Sequence, residues 1–117
     1  LCREFYIECA CNMMRPRTIV DYERIPWILD AGTVRITFDS DVRAAIGSYD
    51  IFDPRLPALS VLEPGKLILE VKFTEMLPQL LRDVLPPSAA EFTAVSKYVL
   101  CYEKTRYMNG FEYWYET

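Results

Sequence analysis

Hydrophobic and polar positions alternate most clearly in Lys66-Leu67-Ile68-Leu69-Glu70-Val71-Lys72-Phe73. Successive strand side chains point to opposite sides, so Leu67, Leu69, Val71 and Phe73 share an apolar face, while Lys66, Ile68, Glu70 and Lys72 share a mixed one. The same two-residue period runs through TVRITFDSDVRAAI (33–46), placing Val34, Ile36 and Phe38 inward and Arg35, Thr37 and Asp39 on the opposite face. Upstream, RTIVDYERIPWIL (17–29) is rich in β-branched and aromatic residues, and its Pro26 marks an edge or a bulge. Asp30-Ala31-Gly32 joins the two as a turn, and the pattern predicts an antiparallel hairpin.

Elsewhere the period lengthens to that of a helix. Leu1, Phe5, Cys9 and Met13 recur at i+4 spacing and predict a helix over 1–14, stopped by Arg15-Pro16-Arg17. Leu77, Leu80, Leu81, Val84 and Leu85 form an amphipathic stripe with Pro78 in the first turn and Pro86-Pro87 beyond the end. Ser88-Ala89-Ala90-Glu91 has the form of a capping box before Phe92, and Val95, Tyr98, Val99 and Tyr102 continue at helical spacing, although YVLCY also fits a strand. Residues 47–65 read as a loop, and the alternating Phe111, Tyr113 and Tyr115 predict an edge strand in the tail. The expectation is a single α+β domain over 1–117, with an antiparallel sheet of at least three strands and helices on its face or at its ends.

Composition narrows the chemistry. The chain has 117 residues, a formal charge of −4 and no histidine. An acidic total disfavours nucleic acid as a partner. Without histidine, Ser-His-Asp and Cys-His catalysis and histidine metal ligands are excluded. Cys2, Cys9, Cys11 and Cys101 contain no C-x-x-C pair, which argues against a zinc site, and they read as reduced thiols of a cytoplasmic protein. No apolar run approaches the ~20 residues of a membrane span. The chain opens on Leu1, as if inside a helix, so a piece of a longer protein is expected.

The polar faces of the three strands carry paired charges: Arg24 on the first, Arg35, Thr37 and Asp39 on the second, Glu70 and Lys72 on the third. Ser96-Lys97 precedes the last helical segment. Alternation alone favours water-facing sides of a one-sided sheet. The sharper reading is a polar barrel interior in which Arg24, Arg35, Lys72 and Lys97 meet an anion and Glu70 holds a divalent metal. Glu63-Pro64-Gly65-Lys66 lacks phosphate-loop spacing and reads as a turn. Asp39-Ser40-Asp41 reads as solvated charge rather than a metal site, and Trp27 and Trp114 as core or edge cover.

The blocks RPRTIVDYERIPWILDAGTVRITFD, VLEPGKLILEVKF and SKYVLCYEK, in that order, resemble the VTC domain, the polyphosphate polymerase family of the triphosphate tunnel metalloenzymes. The resemblance covers roughly residues 3–104. It implies an antiparallel barrel whose tunnel binds triphosphate or polyphosphate with Mg²⁺ or Mn²⁺, and transfer of the γ-phosphoryl of ATP to a polyphosphate chain. Carried over, Arg24 in YER and Arg35 in VRITFD correspond to phosphate-binding arginines, Glu70 in LEVK to the metal-coordinating glutamate, and Ser96 and Lys97 in SKY to phosphate-chain contacts. Lys72 and Asp39 face the same way. Nothing matches the family's N-terminal half, so about half of a tunnel is expected here. The rest would come from the natural chain or from a second copy, or the piece is a binding-only or regulatory module.

Overall fold

A computed structural model of the chain describes residues 1–85 and 93–108. The Ser88–Glu91 capping box and the tail strand expected of Phe111, Tyr113 and Tyr115, with Trp114, fall outside those residues. The elements in chain order are α1 (Cys2–Cys11), β1 (Val20–Leu29), a 3-10 turn (Ala31–Thr33), β2 (Val34–Ala45), β3 (Ala58–Ser60), β4 (Ile68–Lys72), α2 (Gln79–Val84) and α3 (Lys97–Thr105). The α+β class holds. The four strands form an open antiparallel sheet with β2 at its centre.

β1 lies along one edge of β2, and β3 and β4 share the other, β4 at the Arg35–Asp39 end and β3 at the Arg43–Ala45 end. The expected hairpin is present, closed by the 3-10 turn rather than by a tight two-residue loop, with Leu29 opposite Val34. β3 appears where only a loop was expected, because three residues of Ala-Leu-Ser are too few to display a period. Pro26 costs little where it is, since among the described residues β1 is an edge strand and one of its two sides has no ladder to donate to.

Cross-strand partners share a face, so the register defines the two sides of the sheet. One side carries Arg24 opposite Asp39, Pro26 opposite Thr37, and Ile28 opposite Arg35, continued on β4 by Ile68, Glu70 and Lys72. The other carries Ile25, Trp27, Ile36, Phe38, Leu69 and Val71. The sequence pattern therefore sorted the faces correctly. Val34 is buried as expected, but around Asp39 the covered side is the opposite one: Thr37 and Asp39 are buried, Ile36 and Phe38 only half-buried, and Trp27 is 63% exposed, while Ile28, Arg35 and Lys72 at the far end of the charged side are exposed.

A bulge explains the inversion. The pairing slips between Asp21 and Glu23, where Tyr22 faces the extra residue of β2, and Asp41 adopts a positive φ of 49°. An added residue in the left-handed conformation shifts the side-chain alternation by one and sharpens the local twist; aspartate tolerates that region better than most residues. Past the bulge, Val42 and Ala44 consequently fall on the side that carries Arg24 and Asp39. They give α3 an apolar seat there, with Cys101 packed against both and Val20, Tyr22, Leu62 and Ile68 around them.

The docked stripe of α3 is Lys97, Cys101 and Thr105, one helical turn apart each time. Cys101 and Thr105 are fully buried, the Cys101 thiol donates to the Arg43 carbonyl at 3.5 Å, and the Thr105 hydroxyl donates to the Cys101 carbonyl at 2.8 Å. Of the expected stripe Val95, Tyr98, Val99 and Tyr102, the first three are exposed and Tyr102 is half-buried, because close approach over Ala44 selects the small side chains. α1 and α2 are shorter than their patterns predicted, and their apolar stripes are largely exposed: Phe5, Leu80 and Val84 all face solvent.

Candidate functional site

Where α3 meets the sheet, three charged side chains from three elements converge. Asp39 on β2 is 0% exposed, and both of its oxygens are engaged. Arg24 on β1 donates from Nε to Oδ1 at 2.6 Å and from Nη2 to Oδ2 at 2.8 Å. Lys97, the first residue of α3, donates from Nζ to the same Oδ2 at 2.7 Å. The arginine contact is a paired fork, the strongest geometry available to a guanidinium and a carboxylate.

Local sequence sets each position. Arg24 and Asp39 are direct cross-strand partners, so their side chains rise side by side from the same face. Lys97 arrives from the helix because Ser96 caps α3: its hydroxyl accepts the Val99 amide at 3.3 Å, which fixes where the helix starts. Tyr22, one strand period before Arg24, lies beneath both cations, its ring centre 5.0 Å from Arg24 Cζ and 5.1 Å from Lys97 Nζ. Cation–π attraction holds both heads over one ring. Tyr22 was missing from the sequence-based site, though its two-residue spacing from Arg24 was visible there.

The electrostatics follow from contact. Arg24 and Lys97 hold the Asp39 carboxyl at about 2, below its ordinary 3.8, the hydrogen bond from Arg24 contributing most and burial working against it. The same hydrogen bond raises the Arg24 pKa above its usual value. A carboxyl depressed in the folded state stabilises the fold above its unfolded pKa and loses that contribution as pH falls through the folded one. The drop from 3.8 to about 2 corresponds to about 2 kcal/mol. Urea unfolding should thus show that loss between about pH 4 and about pH 2, and the Asp39→Asn variant should lack this part of the acid limb. An identical acid limb in the variant would mean that Asp39 is not the group responsible.

The remaining sequence-predicted residues lie along the same face. Arg35 and Lys72 are direct partners at the far end, both exposed. Glu70 stands between the two cation groups, opposite Thr37, and pairs with Lys72 at 3.0 Å. The Thr37 hydroxyl is buried without a hydrogen-bond partner among the described residues, although the residue is only 4% exposed. Arg24, Arg35, Glu70, Lys72 and Lys97 are thus on one side of the sheet; Ser96 acts as the helix cap that places Lys97. Asp39, expected to be solvated, is buried between two cations, because β1 and α3 cover it.

Among the described residues no cluster of three metal-ligating side chains exists. Asp39 is fully committed to Arg24 and Lys97, which leaves Glu70, among the described residues of these paired strands, as the carboxylate of this face with an exposed side. One carboxylate is no cage for a resident ion. It does suit Mg²⁺, which takes one or two carboxylates and completes its shell with water and phosphate oxygens. No helix of the described residues is long and apolar enough to cross a membrane.

Comparison with known proteins gives one match. The family model for the VTC domain covers residues 1–106. Neither curated proteins nor solved structures yield a match.

Proposed function

The chain belongs to the VTC domain family, and from that premise we propose that its charged sheet face binds a linear polyphosphate or triphosphate together with Mg²⁺ or Mn²⁺. Membership of the family points to a polyphosphate-related role. The single observation that supports this ligand class is the convergence of Arg24 and Lys97, from a strand and a helix, on a face that continues through Thr37 to Arg35 and Lys72. Guanidinium forks and ammonium groups are the natural partners of phosphate oxygens.

In this reading Arg24, Lys97, Arg35 and Lys72 neutralise the phosphate chain, and Glu70 contributes one carboxylate to a metal carried in by the phosphates. Glu70 would be the residue that holds such a metal, which would supply added neutralisation of phosphate charge. Phosphoryl transfer demands in-line positioning and dispersal of charge more than covalent help, so a face of this composition suits it without histidine. Transfer from ATP to a growing chain is proposed for a closed tunnel, in which further strands complete the open sheet and exclude water. Binding without turnover is what the open sheet alone supports.

Calorimetric titration with tripolyphosphate, with and without Mn²⁺, tests the reading. Arg35 is exposed and opposite Lys72, so Arg35→Ala should leave stability within about 0.5 kcal/mol and weaken phosphate binding about three- to tenfold even without metal. Glu70→Ala should abolish the Mn²⁺-dependent increment while leaving metal-free binding equal or tighter, since it removes a negative charge. No heat and no thermal shift with either ligand would reduce the charged face to a solvated surface. Polyphosphate synthesis from ATP, assayed separately, distinguishes a polymerase from a binding module.

A further inference from the structure

We propose that Asp39 is a positioning residue of this phosphate-binding face: a buried carboxylate that gathers the Arg24 and Lys97 heads at one point and presents them to the ligand. The proposal rests on the phosphate reading of the face and adds to it a residue that does not itself touch phosphate.

Burial gives the order of the layers. Asp39 is 0% exposed at the middle of the central strand, whereas the side chains of Arg24 and Lys97 keep 30% and 19% of their surface open. The carboxylate stands behind the cations and the cations face outward. Arg24 uses Nε and one Nη2 hydrogen on Asp39, so three of its five N–H groups remain; Lys97 uses one of three. Both Arg24 Nη2 and Lys97 Nζ rest on the same oxygen, Oδ2, at 2.8 and 2.7 Å. Two cations that close repel one another in the absence of the anion between them. Tyr22 attracts both heads but cannot offset that repulsion by a fixed geometry, because a ring face constrains distance far less than a bidentate fork does.

The competing role for a carboxylate among cations is that of an internal substitute for the ligand, which an incoming phosphate must displace. The two roles predict opposite signs. Asp39→Asn raises the site's charge by one. If charge alone mattered, or if Asp39 competed, tripolyphosphate would bind more tightly to the variant. If Asp39 positions the cations, binding weakens, and we expect about a tenfold loss.

The titration is run on the whole chain at low salt and at a temperature where circular dichroism shows both proteins folded. A merely structural effect is separated by a double-mutant cycle with Lys97→Met. Since Asp39 acts through the two cations, Asp39→Asn should cost much less in the Lys97→Met background; additive losses would overturn the proposal. The wild-type protein supplies a readout that needs no Asp39 variant. The ¹³C signal of the Asp39 carboxylate should keep its position at saturating tripolyphosphate, and a shift to the position of a carboxylate freed from Arg24 and Lys97 would identify Asp39 as a displaced competitor. If the wild type binds no tripolyphosphate, the phosphate reading fails and this proposal with it. If the wild type binds and Asp39→Asn binds equally or better, only the role of Asp39 fails.

Discussion

Replacing Asp39 with alanine is expected to lower the unfolding free energy by about 3–5 kcal/mol, the cost of leaving buried charge without its partner. The side chain is completely enclosed and accepts three hydrogen bonds from two cations. Its removal leaves Arg24 and Lys97 facing each other above Tyr22 with no anion between them. It also cuts an ionic tie between α3 and the sheet, which here joins residues 58 positions apart. Lys97→Met makes the informative contrast. The Arg24 fork survives in that variant, and the methionine stem still covers part of Tyr22, so about 1.5 kcal/mol, the low end for a hydrogen bond between charged groups, is expected from the lost bond. Equilibrium urea denaturation of the two variants at neutral pH measures both numbers. A loss below about 1 kcal/mol for Asp39→Ala would mean the carboxylate behaves as a solvated surface partner, whose usual worth is of that size.

The faces of the sheet were legible because a strand's period is two and registered partners share a side. That is why Arg24, Arg35, Glu70 and Lys72, drawn from three separate blocks, came out together. The covered side was not legible. It is decided by a single extra residue at Asp41, and FDSDV contains no glycine to announce a left-handed backbone. The bulge moves Val42 and Ala44 to the charged side, and a helix then packs where the alternation of 34–39 pointed to solvent.

α3 misled in a related way. It offers two stripes, one of tyrosine and valine and one of Lys97, Cys101 and Thr105, and hydrophobicity alone prefers the first. Backbone proximity decides otherwise: a helix seated over an alanine must turn small side chains downward, which leaves Tyr98 and Tyr102 stacked on one another 6.0 Å apart on its outer side. The signal available in the sequence was the Ala44-Ala45 pair, an unusual run of small residues in a strand, which marks where another element comes close. The site inherits this dependence, since Lys97 reaches Asp39 only because Cys101, one turn on, is pressed against Val42 and Ala44.

That dependence makes Ala44→Leu the second large prediction. Ala44 is fully buried, partnered by Val20 on one side and Leu59 on the other, with Cys101 above it. Three added carbons must displace Cys101 and the side chains around it, and the sheet beneath cannot yield without breaking the pairing of β1 and β3 with β2. The helix must rise instead. Overpacking of this kind costs about 1–3 kcal/mol, and a value near the top of that range is expected because Cys101 is fully buried on a helix tied to the sheet at Lys97. Lifting α3 also withdraws Lys97 from Oδ2 of Asp39, so the variant should lose phosphate affinity although no charged residue has changed. Ala44→Ser, nearly equal in volume, serves as the control and should leave the position of α3 intact. Urea denaturation reports the stability, and tripolyphosphate calorimetry on the folded variants reports the coupling. Full phosphate affinity in Ala44→Leu alongside a clear loss of stability would show that Lys97 finds the ligand independently of how its helix is seated, and that the packing beneath α3 serves the fold alone.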